Sequence, residues 1–249
     1  MTLLITGGTG TVGRPTVEAA RAAGLAPSIL SRRPGADHRV ADLRTGTGLP
    51  AALEGVTNVV HLATNRRSDA RATSRLVAAA RAAGVEHLVY LSIVGVDAVP
   101  LGYYRSKLEC EGIVAQSGVP FTVLRATQFH EFVGSLFAAQ RRLPRVLTLD
   151  VSFQPIDTGA VAARLVSLVG GPPAGGRVDD LGGPAVLPMP ELAEQWLVAR
   201  GLSAADARRR VVEWRAPGRL AAAYRAGLHT TGLPGPGIPF AEWAAAAAR

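Results

Sequence analysis

The chain has 249 residues, 48% of them apolar and 18% charged, which excludes a disordered chain and allows one large domain or a core with an appended lobe. Its net charge of +8 is spread along the sequence, with short clusters at Arg141-Arg142 and Arg208-Arg209-Arg210 and no basic stripe interleaved with aromatics, so nucleic acid is not an expected partner. No apolar run approaches the roughly 20 residues of a membrane span, and the single cysteine, Cys110, excludes an intrachain disulfide and argues against a cysteine-based metal site.

Met1 leads into the apolar run Leu3–Thr6 with no basic region ahead of it. That reads as a first strand and not a secretory signal, and a reducing cytoplasm is the expected compartment. A helix is expected near 12–23, then strands over 27–31, 39–41 and 58–63. A helix near 69–83, a strand over 87–92, a helix near 104–117 and a strand over 122–125 follow. A helix near 158–169 and a strand over 177–181 complete the pattern. Gly24, Gly84 and Gly118 each sit just past an expected helix, where a left-handed cap is wanted. Strands apolar on both faces, alternating with helices, indicate a parallel sheet covered on both sides and wound by right-handed crossovers. The expected fold is therefore α/β: a Rossmann-type doubly wound parallel sheet. Past residue 183 prolines break the rhythm. Helices are expected near 190–200 and 203–209, a loop over 232–239 and a closing helix within 241–249. We expect one domain over 1–249, with 183–249 as a smaller C-terminal lobe on the substrate side.

The strongest motif is Thr6-Gly7-Gly8-Thr9-Gly10-Thr11-Val12-Gly13, between the first strand and the first helix. Gly7 permits a tight turn, Gly10 lets the backbone approach a pyrophosphate, and Gly13 lets the helix pack closely on the sheet. The helix N-terminus offers free N–H groups and partial positive charge, at Thr11, Val12 and Gly13, to phosphates. The second strand ends Ser31-Arg32-Arg33-Pro34 and has no carboxylate before Asp37. An acid at that position would bind both ribose hydroxyls; two guanidinium groups suit a 2′-phosphate instead, so NADPH (NADP) is the expected cofactor.

Tyr103-Tyr104-Arg105-Ser106-Lys107 contains Tyr-x-x-x-Lys. On a helix, Tyr103 and Lys107 share a face. The lysine can hold the nicotinamide ribose and lower the tyrosine pKa, while the tyrosine gives its proton to a developing alkoxide. Ser92, closing the fifth strand, can hydrogen-bond the same substrate oxygen. Lys107 is the only lysine in a chain with 26 arginines. Tyr104 is the rival acid, one residue along. Arg67, Arg71 and Arg75 share a helix face and read as solvated. No His or carboxylate cluster has metal-ligand spacing, so no metal is expected, and Gly-x-Ser-x-Gly is absent.

The Thr-Gly-Gly-Thr-Gly-Thr-Val-Gly turn, with glycines spaced three apart, resembles that of the extended and atypical short-chain dehydrogenases/reductases, and most of all their NmrA-like, NAD(P)H-binding group. The likeness covers about the first 180 residues. It implies that Asp42 and Leu43 meet the adenine and that His61-Leu62-Ala63-Thr64 lies along the cofactor ribose, with Ala63 and Thr64 in contact; His61 itself, a lone histidine without partners, reads as packed within its strand. It identifies Ser92, Tyr103 and Lys107 with the superfamily's catalytic triad, although only ten residues separate Ser92 from Tyr103. It borders the substrate with Gln128, Phe129 and His130, and makes Asp157 or Thr158 a helix cap. The expected activity is NADPH-dependent reduction of a small ketone, quinone or conjugated carbonyl compound. An NADP(H)-binding redox sensor without turnover is the alternative, and a nucleotide-sugar epimerase or dehydratase the third option. The partners expected are the small-molecule substrate and at most further copies of the chain, with no nucleic acid and no membrane.

Overall fold

The computed structural model describes residues 1–64 and 69–248. Its first half interleaves strands and helices: β1 (Leu3–Thr6), α1 (Gly13–Ala22), β2 (Ser28–Ser31), β3 (His38–Val40), α2 (Leu49–Leu53), β4 (Asn58–His61), α3 (Asp69–Ala82), β5 (His87–Ile93), α4 (Gly102–Ala115) and β6 (Phe121–Ala126). The second half continues with α5 (His130–Ala138), β7 (Val146–Leu149), β8 (Ser152–Phe153), α6 (Thr158–Val169), β9 (Gly176–Arg177), β10 (Leu187–Pro188), α7 (Met189–Val198), α8 (Ala204–Arg210), β11 (Val211–Trp214), α9 (Arg219–Arg225) and α10 (Phe240–Ala246).

The described residues build a seven-stranded sheet in the order β3-β2-β1-β4-β5-β6-β9, parallel throughout. This is the doubly wound arrangement, with its switch point between β1 and β4. Side chains alternate across it. Leu4, Val59, Leu88 and Tyr90 face one core with α3 and α4. Leu3, Ile5, Val60, Val89 and Leu91 face a second core with α1 and α6. The register sets Thr6 opposite His61, His61 opposite Tyr90, and Ser92 opposite Arg125, which aligns the carboxyl ends of β1, β4, β5 and β6. Gly24, Gly84 and Gly118 have positive φ, as the helix-to-strand corners require.

A third core gathers Val133 and Phe137 of α5, Val146 of β7, Leu192 and Trp196 of α7, Ala207 of α8 and Phe240 of α10. Two short ribbons edge this lobe: β10 with β8, antiparallel, and β11 with β7, parallel. Asp157 caps α6, its Oδ1 accepting from the Ala160 N–H at 3.0 Å. The strand expected over 177–181 shortens to β9 plus a bridge from Leu181 to Ala126, with Asp180 between them paired to Arg177 at 3.7 Å. Arg71 and Arg75 are exposed; Arg67 lies outside the described residues.

Candidate active site

The glycine-rich turn closes β1 onto α1 with no room to spare. Gly7 has φ +70°, and a Cβ on it would lie 2.8 Å from the Ala63 nitrogen. A Cβ on Gly13 would lie 2.0 Å from the Gly7 carbonyl oxygen, and one on Gly8 would meet the Ile29 side chain at 2.9 Å. Gly10 differs: its Cβ would touch only the Gly7 carbonyl, at 3.2 Å, and otherwise face open space. Val12 stands at the N-cap of α1 without a side-chain cap, and the first turn has no acidic residue. A groove of about 530 Å³ opens here, lined by Thr9, Gly10, Thr11 and Arg14 on one side and Glu131 and Thr158 on the other. Uncapped N–H groups, an open Gly10 and a groove beside them fit a pyrophosphate.

At the end of β2, Ser31 Oγ accepts from the Arg33 N–H at 3.1 Å and holds the turn. Arg32 and Arg33 are exposed, and neither guanidinium has a hydrogen-bond or ion-pair partner among the described residues. Asp37 is bound by Arg21 at 2.9 Å and so occupied elsewhere. Past β3, Asp42 Oδ1 accepts from the Arg44 N–H at 2.8 Å, while Leu43 packs against the core.

The end of β4 is wired to β1. Thr6 Oγ1 accepts from the Leu62 and Ala63 N–H groups, both at 3.2 Å, so its hydroxyl donates to His61 Nδ1 at 2.7 Å. His61 Nε2–H then donates to Thr73 Oγ1 at 3.1 Å. Burial, helped by the nearby Lys107 charge, drives His61 down to about 3, so it stays neutral and structural. Thr64, just beyond, is exposed; its hydroxyl donates to Asp69 Oδ2 at 2.5 Å, and its oxygen lies 3.1 Å from the Tyr103 hydroxyl.

Lys107 is buried. Its Nζ donates to the Leu91 carbonyl at 2.8 Å and lies 4.4 Å from the centre of the Tyr90 ring. Burial pulls it from 10.5 down to about 8, against the opposing pull of Cys110, Asp69 and Glu111. Ser92, one residue past the lysine's acceptor, is 2% exposed, and its Oγ has no hydrogen-bond partner among the described residues. Tyr103 is half-buried. Tyr104 is buried with Val96, Val99 and Ala223, a cluster whose edge Tyr103 also packs against; burial pushes the Tyr104 phenol well up, and Tyr224 and Gln128 are its polar neighbours. The structure thus turns Tyr103 toward Thr64 and Tyr104 toward the C-terminal lobe.

The three residues after β6 diverge. Gln128 Nε2 donates to the His229 carbonyl at 3.2 Å, and its Oε1 is unpartnered among the described residues. Phe129 packs against the core under the sheet. His130 is fully buried between Phe240 and Trp243, each ring 5.6 Å away, with Nε2 donating to the Ile238 carbonyl at 3.0 Å. Phe129 and His130 therefore tie elements together, and Gln128 alone of the three reaches Tyr104. Arg125 was not legible as a site element. It is 4% exposed, forked onto Glu111 at 2.8 and 2.9 Å and onto Asp97 at 2.8 Å, and so joins β6, α4 and the loop after β5. The available signal was a lone arginine within the apolar run Thr122-Val123-Leu124-Arg125-Ala126.

Sheet order, glycine turn and uncapped α1 define a Rossmann-type dinucleotide-binding protein. Comparison with known proteins carries this further. The model of the NAD(P)H-binding family matches residues 7–134. The chain is 34% identical over 209 residues to (4-alkanoyl-5-oxo-2,5-dihydrofuran-3-yl)methyl phosphate reductase of Streptomyces griseus, covering 78% of this chain and 72% of that one. It is 28% identical over 212 residues to quinone oxidoreductase 2 of Escherichia coli, with the same coverage. A match to photosystem II assembly factor Ycf39 of Trieres chinensis, 33% identical over 151 residues, covers 53% of this chain and 47% of that protein, so the chain spans less than half of that relative. Among solved structures, the E. coli NADPH-dependent quinone oxidoreductase QOR2 complexed with NADPH superposes with a TM-score of 0.76 at 19% identity, and Citrobacter sp. triphenylmethane reductase complexed with NADP(H) with 0.78 at 16%. Both superpositions cover 100% of both chains. The chain belongs to the NAD(P)H-binding family and is an NAD(P)-dependent oxidoreductase. No described helix is long and apolar enough to cross a membrane.

Proposed function

We infer that the protein uses NADPH to reduce a small ketone, quinone or conjugated carbonyl compound. Ser92 is the observation that carries this: a buried hydroxyl without a partner, at the carboxyl end of a central strand, beside the carbonyl that holds the lysine. In such a fold that hydroxyl waits for a ligand oxygen. The names of the Streptomyces and Escherichia relatives, a furanone phosphate reductase and a quinone oxidoreductase, support a conjugated carbonyl.

Each residue then has a task. The N–H groups at the start of α1 bind the pyrophosphate, which Gly10 admits by having no side chain. Arg32 and Arg33 pair with the 2′-phosphate. Lys107 keeps one N–H on Leu91 and offers the others to the ribose. Bound NADPH supplies the hydride. Ser92 orients the substrate oxygen, and Tyr103 gives that oxygen its proton as negative charge develops there, so hydride and proton together complete the reduction. The second reading, an NADP(H)-binding regulator without turnover, draws on the partial match to an assembly factor.

Single-turnover NADPH oxidation across a carbonyl and quinone panel tests this. Tyr103→Phe should slow the reaction by 10²–10⁴-fold, the order expected for a lost general acid, with NADPH affinity kept. Tyr104→Phe should lose little. Absence of turnover on the whole panel by the wild type would remove the reductase reading and favour the regulator. A fully active Tyr103→Phe would remove the catalytic assignment and leave the cofactor site in place.

A further inference from the structure

A hydrogen-bonded chain runs from the first turn of α3 to the candidate acid. Asp69 is 4% exposed and accepts from the Thr64 hydroxyl at 2.5 Å; Thr64 Oγ1 lies 3.1 Å from the Tyr103 oxygen. A hydroxyl has one hydrogen to donate. Thr64 commits its own to a carboxylate, which makes that bond the charge-assisted and stronger one. The hydrogen between Thr64 and Tyr103 is therefore the tyrosine's.

We propose that Thr64 and Asp69 are positioning residues for Tyr103: Asp69 locks Thr64 as an acceptor, and Thr64 holds the Tyr103 proton on the phenol until a substrate oxygen takes it. This rests on the reductase reading of Tyr103. In the step itself the Tyr103 O–H bond breaks and the O–H bond of the alcohol or enol product forms. The tyrosinate left behind faces an oxygen whose hydrogen is already donated to Asp69, so Thr64 can help it only by abandoning that bond. Tyr103 recovers its proton from solvent water. Among the described residues, the charged or titratable groups around Tyr103 include Lys107, one turn along α4, Asp69 of α3, Tyr90 of β5, and Tyr104 and Tyr224 of the cluster it packs against. The Lys107 ammonium favours the tyrosinate, and the Thr64–Asp69 pair favours the phenol. The site is thereby set to deliver a proton and not to remove one.

The test needs no turnover. Tyrosinate absorbance is followed against pH in the cofactor-free full chain. It has four tyrosines, and burial pushes Tyr90, Tyr104 and Tyr224 upward. The step lost in Tyr103→Phe belongs to Tyr103. Thr64→Val and Asp69→Asn should each lower that midpoint by about half a unit to one unit, the loss of one hydrogen bond to the phenol form. Thr64→Ser should restore the wild-type value. In single-turnover reduction, the pH above which the rate falls should move down by the same amount. A midpoint unmoved or raised in both Thr64→Val and Asp69→Asn overturns the proposal, including in a protein that proves an active reductase. A lowered midpoint in a protein that reduces nothing would leave the Asp69–Thr64–Tyr103 linkage standing and remove the reductase reading alone.

Discussion

Lys107→Met should flatten one part of the pH dependence of stability. The ammonium is 5% exposed, and burial lowers its pKa from 10.5 to about 8. A base with a depressed folded pKa prefers to fold uncharged. Below pH 8 both folded and unfolded chains carry the proton, and folding bears the whole penalty. Between about 8 and 10.5 the folded lysine is neutral while the unfolded one still binds a proton, so stability rises with pH. Above 10.5 the contribution is level. At about 1.4 kcal/mol per unit the penalty comes to about 3 kcal/mol, of which about 2.5 kcal/mol is relieved by pH 10. The value at neutral pH alone decides nothing: the methionine removes the buried charge but strands the Leu91 carbonyl, worth about 1–3 kcal/mol in the other direction. The slope decides. Urea unfolding of wild type and Lys107→Met at pH 7 and pH 10 gives a double difference in which groups common to both proteins cancel. Cys110, pushed up by burial, is one such group. We expect wild type to gain about 2.5 kcal/mol on the variant between the two pH values. A difference that stays flat would refute the buried, charged lysine.

NADPH should bind more tightly than NADH, and Arg32→Ala should narrow the gap by weakening NADPH, since each charge-assisted bond to phosphate is worth about 1.5–3 kcal/mol; equal dissociation constants in the wild type would refute the assignment. Gly10→Val should abolish binding of both cofactors by calorimetry while the thermal midpoint of the cofactor-free protein moves little, because the added carbon meets only the Gly7 carbonyl. Arg125→Leu should destabilise by about 3–5 kcal/mol, since it strands the half-buried Glu111, and the double variant Arg125→Leu, Glu111→Leu should recover most of that loss in urea unfolding.

The sheet was readable because its signal is local. Leu3–Thr6 and the run around Val59 are short and apolar on both faces, as a covered parallel strand requires. The glycine turn was readable for the same reason: Gly7 and Gly13 each satisfy a contact within one strand–turn–helix unit. Gly8 was not given a role because its neighbour, Ile29, comes from β2. Placement after β6 was harder. Gln128, Phe129 and His130 are consecutive, but His130 is claimed by Ile238, Phe240 and Trp243, more than 100 residues later. Contacts at that separation leave no mark in a local pattern. The choice between Tyr103 and Tyr104 belongs to the same class, since the cluster that includes Ala223 of α9 buries Tyr104 fully and Tyr103 only in part.

The single lysine in an arginine-rich chain follows from its surroundings. Among the described residues its hydrogen-bond acceptor is the Leu91 carbonyl, and it stands over the ring face of Tyr90. A guanidinium would bring five donors in a fixed plane and leave most of them unpaired in a site this buried. An ammonium is compact, can satisfy one donor on Leu91 and keep two for a ligand, and can give up its proton when no anion is near. Arg125 shows the contrary case on the neighbouring strand, β6: there two carboxylates converge, Glu111 taking a forked pair of bonds from the planar group and Asp97 a third. The same helix α4 thus carries a lysine whose described hydrogen-bond partner is one carbonyl and a glutamate that is forked onto an arginine. An arginine at position 107 would have to be paired by the protein itself, which is why Lys107→Arg should fold poorly or expel the side chain, and lose cofactor affinity in either case.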